Sequence, residues 1–125
     1  MILGLGTDIV ACARLRHLLS TYGARFSKKI FTQAECAYCD SKADPTTHYA
    51  ARFAAKEAAR KALTGSPPLS WHDVEVQRQE DGSVGLAFYG KAAQVAEGLG
   101  VEAIHLSISH EQNMAVATVI LEGTK

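Results

Sequence analysis

Hydrophobic and polar positions change rhythm along this chain, and the rhythm predicts its elements. Ile2 to Val10 is rich in β-formers and broken by Gly4 and Gly6, as expected of a buried strand with a close backbone approach. Leu15, Leu18, Leu19 and Tyr22 recur at helical spacing, which predicts an amphipathic helix over Ala11–Tyr22 ended by Gly23. Arg25–Ile30 reads as one more short helical turn. Thr32-Gln33-Ala34-Glu35 has the form of a capping box and opens a helix of about ten residues. Ser41–Thr47, with Asp44-Pro45, reads as a loop. The longest helix, rich in alanine, is expected from about Thr46 to Leu63, closed by Gly65 and followed by a rigid Ser66-Pro67-Pro68 connector. Beyond it the pattern alternates. Asp73–Arg78 and Val84–Tyr89 read as strands around a Glu80–Ser83 turn with an Asp-Gly signature. Gly90–Leu99 reads as a helix with Gly98 and Gly100 at its end. Ala103–Ser109 and Met114–Leu121 are two more strands, joined through His110–Asn113. The order β-α-α-α-β-β-α-β-β implies an α+β fold, with a mainly antiparallel sheet packed on one long central helix.

Composition narrows the function classes. A chain of 125 residues, 47% of them apolar, is expected to be one domain spanning 1–125 with its own core. Thirteen basic residues cancel thirteen acidic ones, which argues against nucleic acid as a partner. The charge is nonetheless uneven. Residues 14–29 hold Arg14, Arg16, His17, Arg25, Lys28 and Lys29 and no acid, as a surface for an acidic partner would. Three cysteines in a neutral chain do not form a disulfide framework. Cys36 and Cys39 have redox or zinc spacing, but they fall in a helical pattern without a second ligand pair. No basic leader precedes an apolar run, and apolar runs fall far short of the roughly 20 residues that span a bilayer. The expectation is a soluble, cytoplasmic protein with no membrane partner.

Two carboxylates attract attention. Glu57 lies one helical turn before Lys61, so the two share a face. Asp8 closes Gly4-Leu-Gly-Thr-Asp8 at the far end of the sequence. Each has a plain reading: Asp8 as a turn or capping residue, Glu57 and Lys61 as a solvated ion pair. The other reading is a magnesium site. Mg²⁺ takes hard oxygen ligands, usually one or two carboxylates with substrate phosphates, and small glycines beside Asp8 would let a phosphate approach. Ser107 and Ser109 share one face of their strand, and His110 follows, either as a strand-end histidine or as a phosphate contact.

Taken together these segments resemble the holo-acyl-carrier-protein synthase family, the small bacterial type of 4′-phosphopantetheinyl transferase. Gly4-Leu-Gly-Thr-Asp8-Ile-Val matches its N-terminal motif. Arg52-Phe-Ala-Ala-Lys-Glu57-Ala-Ala-Arg-Lys61-Ala matches its central motif closely, and Leu106-Ser-Ile-Ser109-His110 its C-terminal block. Gly65-Ser-Pro-Pro68 and Gly82-Ser83-Val84 depart from the family pattern. The resemblance implies a phosphopantetheinyl transferase-like fold. It also implies transfer of the 4′-phosphopantetheine arm of coenzyme A to a serine of acyl carrier protein, serving fatty acid biosynthesis. Asp8 and Glu57 would hold Mg²⁺, and Lys61 would steady developing charge. Glu57 or a water on the metal would take the serine proton. Arg52, Lys61, Gly65, Ser109 and His110 would contact coenzyme A, and Arg14 and Arg25 would dock the acidic carrier protein. The resemblance also implies a homotrimer, with the active cleft between neighbouring subunits. A non-catalytic, nucleotide-binding trimeric module and a Cys36/Cys39 redox protein are the competing readings.

Overall fold

The computed structural model describes residues 1–63 and 68–124. Strand β1 (Ile2–Ala11) leads into helices α1 (Cys12–Tyr22), α2 (Ala24–Ile30), α3 (Gln33–Asp40) and α4 (Pro45–Ala62). A short 3-10 turn, Trp71–Asp73, precedes β2 (Val74–Arg78) and β3 (Val84–Phe88). Helix α5 (Gly90–Leu99) then leads to β4 (Val101–Glu111) and β5 (Met114–Gly123). Every expected element is present within a few residues. The segment read as a helical turn at Arg25–Ile30 is a helix of its own, and the loop before α4 is shorter than expected because Pro45 sits in its first turn.

All strand pairs are antiparallel, but they form two sheets: β1-β5-β4 and the hairpin β2-β3. The hairpin turns at Gly82, whose φ of 88° lies where a side chain would strain the backbone. Strand β5 is central to the larger sheet. Ala115, Ala117, Val119 and Leu121 are buried beneath it at every second position. Helix α4 packs against that inner face. Its residues Tyr49 through Lys56 are all buried, and six alanines from Ala50 to Ala59 keep the packing thin. The Thr32 capping box is formed as expected: Glu35 N donates to Thr32 Oγ1, and Thr32 N to Glu35 Oε1.

Glu35 also ties three elements together. It is 1% exposed and pairs with Lys56 Nζ at 2.8 Å, while its Oε2 accepts from Val76 N at 2.7 Å. Lys56 is fully buried and donates further to the carbonyls of Trp71 and Val74. Burial pushes its ammonium below the ordinary lysine range, and Glu35 opposes that shift. Every polar atom of this pair that enters the core is met by a partner, which lets charge sit between α3, α4 and β2.

Candidate active site

The crossing of β1 over α4 builds the site. A Cβ on Gly6 would lie 1.9 Å from Ala58 O, and one on Gly4 would lie 2.2 Å from Ala62 O. Both positions accept only glycine, because strand backbone rests directly on helix backbone. The expected close approach is therefore real. Its purpose differs from the sequence reading: the glycines admit the helix, not a phosphate. Alternation then brings Asp8, two residues past Gly6, to the same side of the strand.

Asp8 meets Lys61 there. Lys61 Nζ donates to Asp8 Oδ1 at 2.9 Å and to Thr7 O at 3.0 Å. Glu57, one turn earlier on α4, accepts from Arg60 Nη1 at 3.1 Å through Oε1. The Arg60 guanidinium lies 4.5 Å from the ring centroid of Trp71, which stacks on Phe53 at 5.4 Å. Arg60 is thus held from below, a contact that sequence spacing could not supply. Each carboxylate spends one oxygen on its cation; among the described residues Asp8 Oδ2 and Glu57 Oε2 carry no further bond. No cluster of three or more His, Cys, Asp or Glu side chains suited to a metal exists among the described residues. Each of these carboxylates offers the hard oxygen donor that Mg²⁺ takes, the ion keeping waters and substrate oxygens for its other positions.

The residues expected at the nucleotide end are less united. Ser109 and His110 line an open groove of about 720 Å³ at the β4–β5 turn. Arg52 lines a separate cavity of about 360 Å³ between α3, α4 and β2. His48 connects the two regions: burial lowers its pKa, and the charges of Arg52, Lys42 and His110 lower it further. Gly65 lies outside the described residues. Within one chain, then, the nucleotide residues border different cavities.

Of the docking pair, Arg14 lies 5.3 Å from the Phe53 ring centroid, and Arg25 lines a groove of about 340 Å³ with Leu18, Tyr22, Phe26 and Lys29. That apolar floor was missed by reading charge alone. Leu18 and Tyr22 were already visible as the apolar stripe of the first helix. Cys39 is buried, and burial raises its thiol to about 12, so it is a poor nucleophile. No helix among the described residues is long and apolar enough to cross a membrane.

Comparison with known proteins follows the same lines. Residues 4–119 match the family model described as the 4′-phosphopantetheinyl transferase superfamily. This chain belongs to that superfamily. A holo-[acyl-carrier-protein] synthase of Koribacter versatilis (strain Ellin345) is 52% identical, over 98% of this chain and 99% of that protein. One of Anaeromyxobacter sp. (strain K) is 49% identical, over 99% and 98%. The crystal structure of a holo-[acyl-carrier-protein] synthase from Neisseria meningitidis superposes with a TM-score of 0.87 at 31% identity, covering 98% of this chain and 99% of that one. A transferase of the same name from Bacillus anthracis, solved in complex with CoA (3′,5′-ADP), gives 0.81 at 32% identity, covering 99% of each.

Proposed function

We propose that this chain is a holo-[acyl-carrier-protein] synthase, moving the 4′-phosphopantetheine arm of coenzyme A onto a serine of acyl carrier protein. One observation carries the reading: Lys61 of α4 grips Asp8 of β1 at 2.9 Å, so the start of the chain meets the helix that carries Glu57 one turn earlier. In the reaction the serine oxygen attacks the phosphorus that bears the pantetheine arm. The bond from that phosphorus to the bridging oxygen breaks, and adenosine 3′,5′-bisphosphate leaves. Asp8 Oδ2 and Glu57 Oε2 are the oxygens that would hold Mg²⁺. When bound, the ion would supply charge neutralisation on the diphosphate. Glu57 takes the serine proton, directly or through a water. Lys61, anchored on Thr7 O, steadies negative charge as it shifts to the leaving phosphate.

Two further features support this assignment. Leu5, Ile9 and Val116 stand on the outer face of the larger sheet, and Met114 is exposed at the start of β5. Leu5 and Ile9 are 62% and 61% exposed. Register places Ser109 opposite Val116, which lies opposite Ile9, so Ser109 shares that face. An apolar sheet face of this kind suits contact with further copies of the chain. A homotrimer would bring the Ser109 side of one subunit to a neighbour's cluster, uniting nucleotide residues that border separate cavities within one chain. The groove of Leu18, Tyr22 and Phe26, edged by Arg25 and Lys29, suits an acidic helix with an apolar residue at its centre. Acyl carrier protein is the partner of that chemistry, in fatty acid biosynthesis and in the cytoplasm.

The decisive experiment is mass spectrometry of apo acyl carrier protein incubated with this chain, coenzyme A and Mg²⁺. A gain of the phosphopantetheine mass is expected. Nucleotide binding without that gain would establish the non-catalytic module instead. Reversing Arg14 and Arg25 to Glu should raise the apparent KM for carrier protein about tenfold and flatten its salt dependence.

A further inference from the structure

Three cations surround one aromatic ring in this fold. The guanidinium of Arg52 lies 4.3 Å from the Tyr38 ring centroid, Lys42 Nζ 4.5 Å and the guanidinium of Arg78 5.3 Å. Arg78 Nη1 also donates to the Tyr38 phenol oxygen at 2.6 Å. The three come from α4, from the segment after α3 and from the end of β2, so only the fold assembles them. Among the described residues, none of them makes an ion pair. The carboxylates nearby are already engaged. Glu35 serves Lys56, Thr32 N and Val76 N, and Glu75 accepts from Thr32 and Gln77. Arg52 is only 5% exposed, yet among the described residues its Nε has no hydrogen-bond partner.

Such a cluster is unfavourable alone. Like charges repel, and a buried N–H without an acceptor forfeits a hydrogen bond it had in water. The negative face of an aromatic ring offsets only part of that repulsion. Stacking on a ring leaves the edge of a guanidinium free, and that edge matches the oxygens of a phosphate. Arg52 and Arg78 line the same cavity of about 360 Å³, with room for a phosphate beside them.

We propose that Tyr38 is a positioning residue: its ring and phenol oxygen gather Arg52, Arg78 and Lys42 into a grip for a phosphate of the nucleotide end of coenzyme A. The inference rests on the function proposed above and adds the residue that organises the grip. It is separable from that function, because the grip acts on binding and the transfer chemistry lies at Asp8, Glu57 and Lys61.

Calorimetric titration with adenosine 3′,5′-bisphosphate tests it on the full-length protein. Tyr38→Leu, which removes both ring and phenol, should weaken the dissociation constant about tenfold. Tyr38→Phe keeps the ring and removes only the hydrogen bond from Arg78, and should weaken it about threefold. In the transfer assay the KM for coenzyme A should rise by the same factors while kcat stays within twofold. A dissociation constant within twofold of wild type in Tyr38→Leu overturns the proposal, as does a fall in kcat at unchanged KM. If Tyr38→Leu fails to fold, Tyr38→Phe decides by the same two measurements, and a change below 1.5-fold there overturns it. A wild-type chain that binds the nucleotide without transferring the arm would sink the enzymatic reading, and the calorimetric comparison would still decide the role of Tyr38.

Discussion

Two lysines on one helix make ion pairs of nearly equal length with opposite consequences. Lys56 meets Glu35 at 2.8 Å with neither side chain exposed; Lys61 meets Asp8 at 2.9 Å with 55% and 16% of the two side chains exposed. The buried ammonium donates to the carboxylate and to two carbonyls, so it fastens α3, the 3-10 turn and β2 to α4. The exposed one holds β1 beside α4 and, among the described residues, leaves Asp8 an open oxygen. Distance does not separate the roles; solvation does. Charges taken out of water must be fully met by partners, whereas charges at a surface can exchange partners with a substrate.

Breaking the buried pair should do the most damage. Lys56→Met strands Glu35 in the core and is expected to cost about 3–5 kcal/mol of stability in chemical denaturation. A loss below about 1 kcal/mol would erase the contrast. Next in size, Asp8→Ala should lower transfer at least about hundredfold, roughly 2.7 kcal/mol of transition-state energy, with the thermal midpoint barely moved. Retained activity would show that the exposed pair is only a surface contact. Gly6→Ala lies between the two classes. Its Cβ would press on Ala58 O, and the crossing should lose about 1–3 kcal/mol while transfer falls as Asp8 is displaced. Lys61→Met should change stability by less than about 1 kcal/mol, as for other half-exposed pairs, yet lower kcat clearly.

The smallest effect belongs to Glu75, beside the buried pair. Burial works to raise its pKa, but hydrogen bonds from Thr32, Gln77 and Tyr89 and the charge of Lys56 outweigh it and hold the carboxyl below its ordinary 4.5. A carboxylate with a depressed folded value adds stability above the unfolded pKa, and that share is lost as pH falls through the folded one. Glu75→Gln should therefore flatten the acid limb of a stability–pH profile below about pH 4.5 by a few tenths of a kcal/mol. An unchanged limb would mean that these hydrogen bonds add nothing.

The elements were legible because their signals are local. The capping box at Thr32, the stop at Gly23 and the alternation of β5 are each written within a few residues. The glycines of β1 announced a close approach but not its partner. Which surface met them, helix or phosphate, depended on a contact more than fifty residues away. Lys56 and Lys61 look alike in the string of α4, and only packing against α3 and β2 made one of them a buried clamp. The division of strands into two sheets, and the separation of Arg52 from Ser109 and His110, were equally out of reach.

By itself the sequence determined which elements form, the family of the chain and the residues able to carry its chemistry, because propensity, periodicity and motif spacing act over short stretches of chain. The tertiary structure decided which charges lose water and which keep it, and which ring gathers three cations. Solvation and cation–π contact depend on neighbours brought from distant positions, and no local pattern records who those neighbours are.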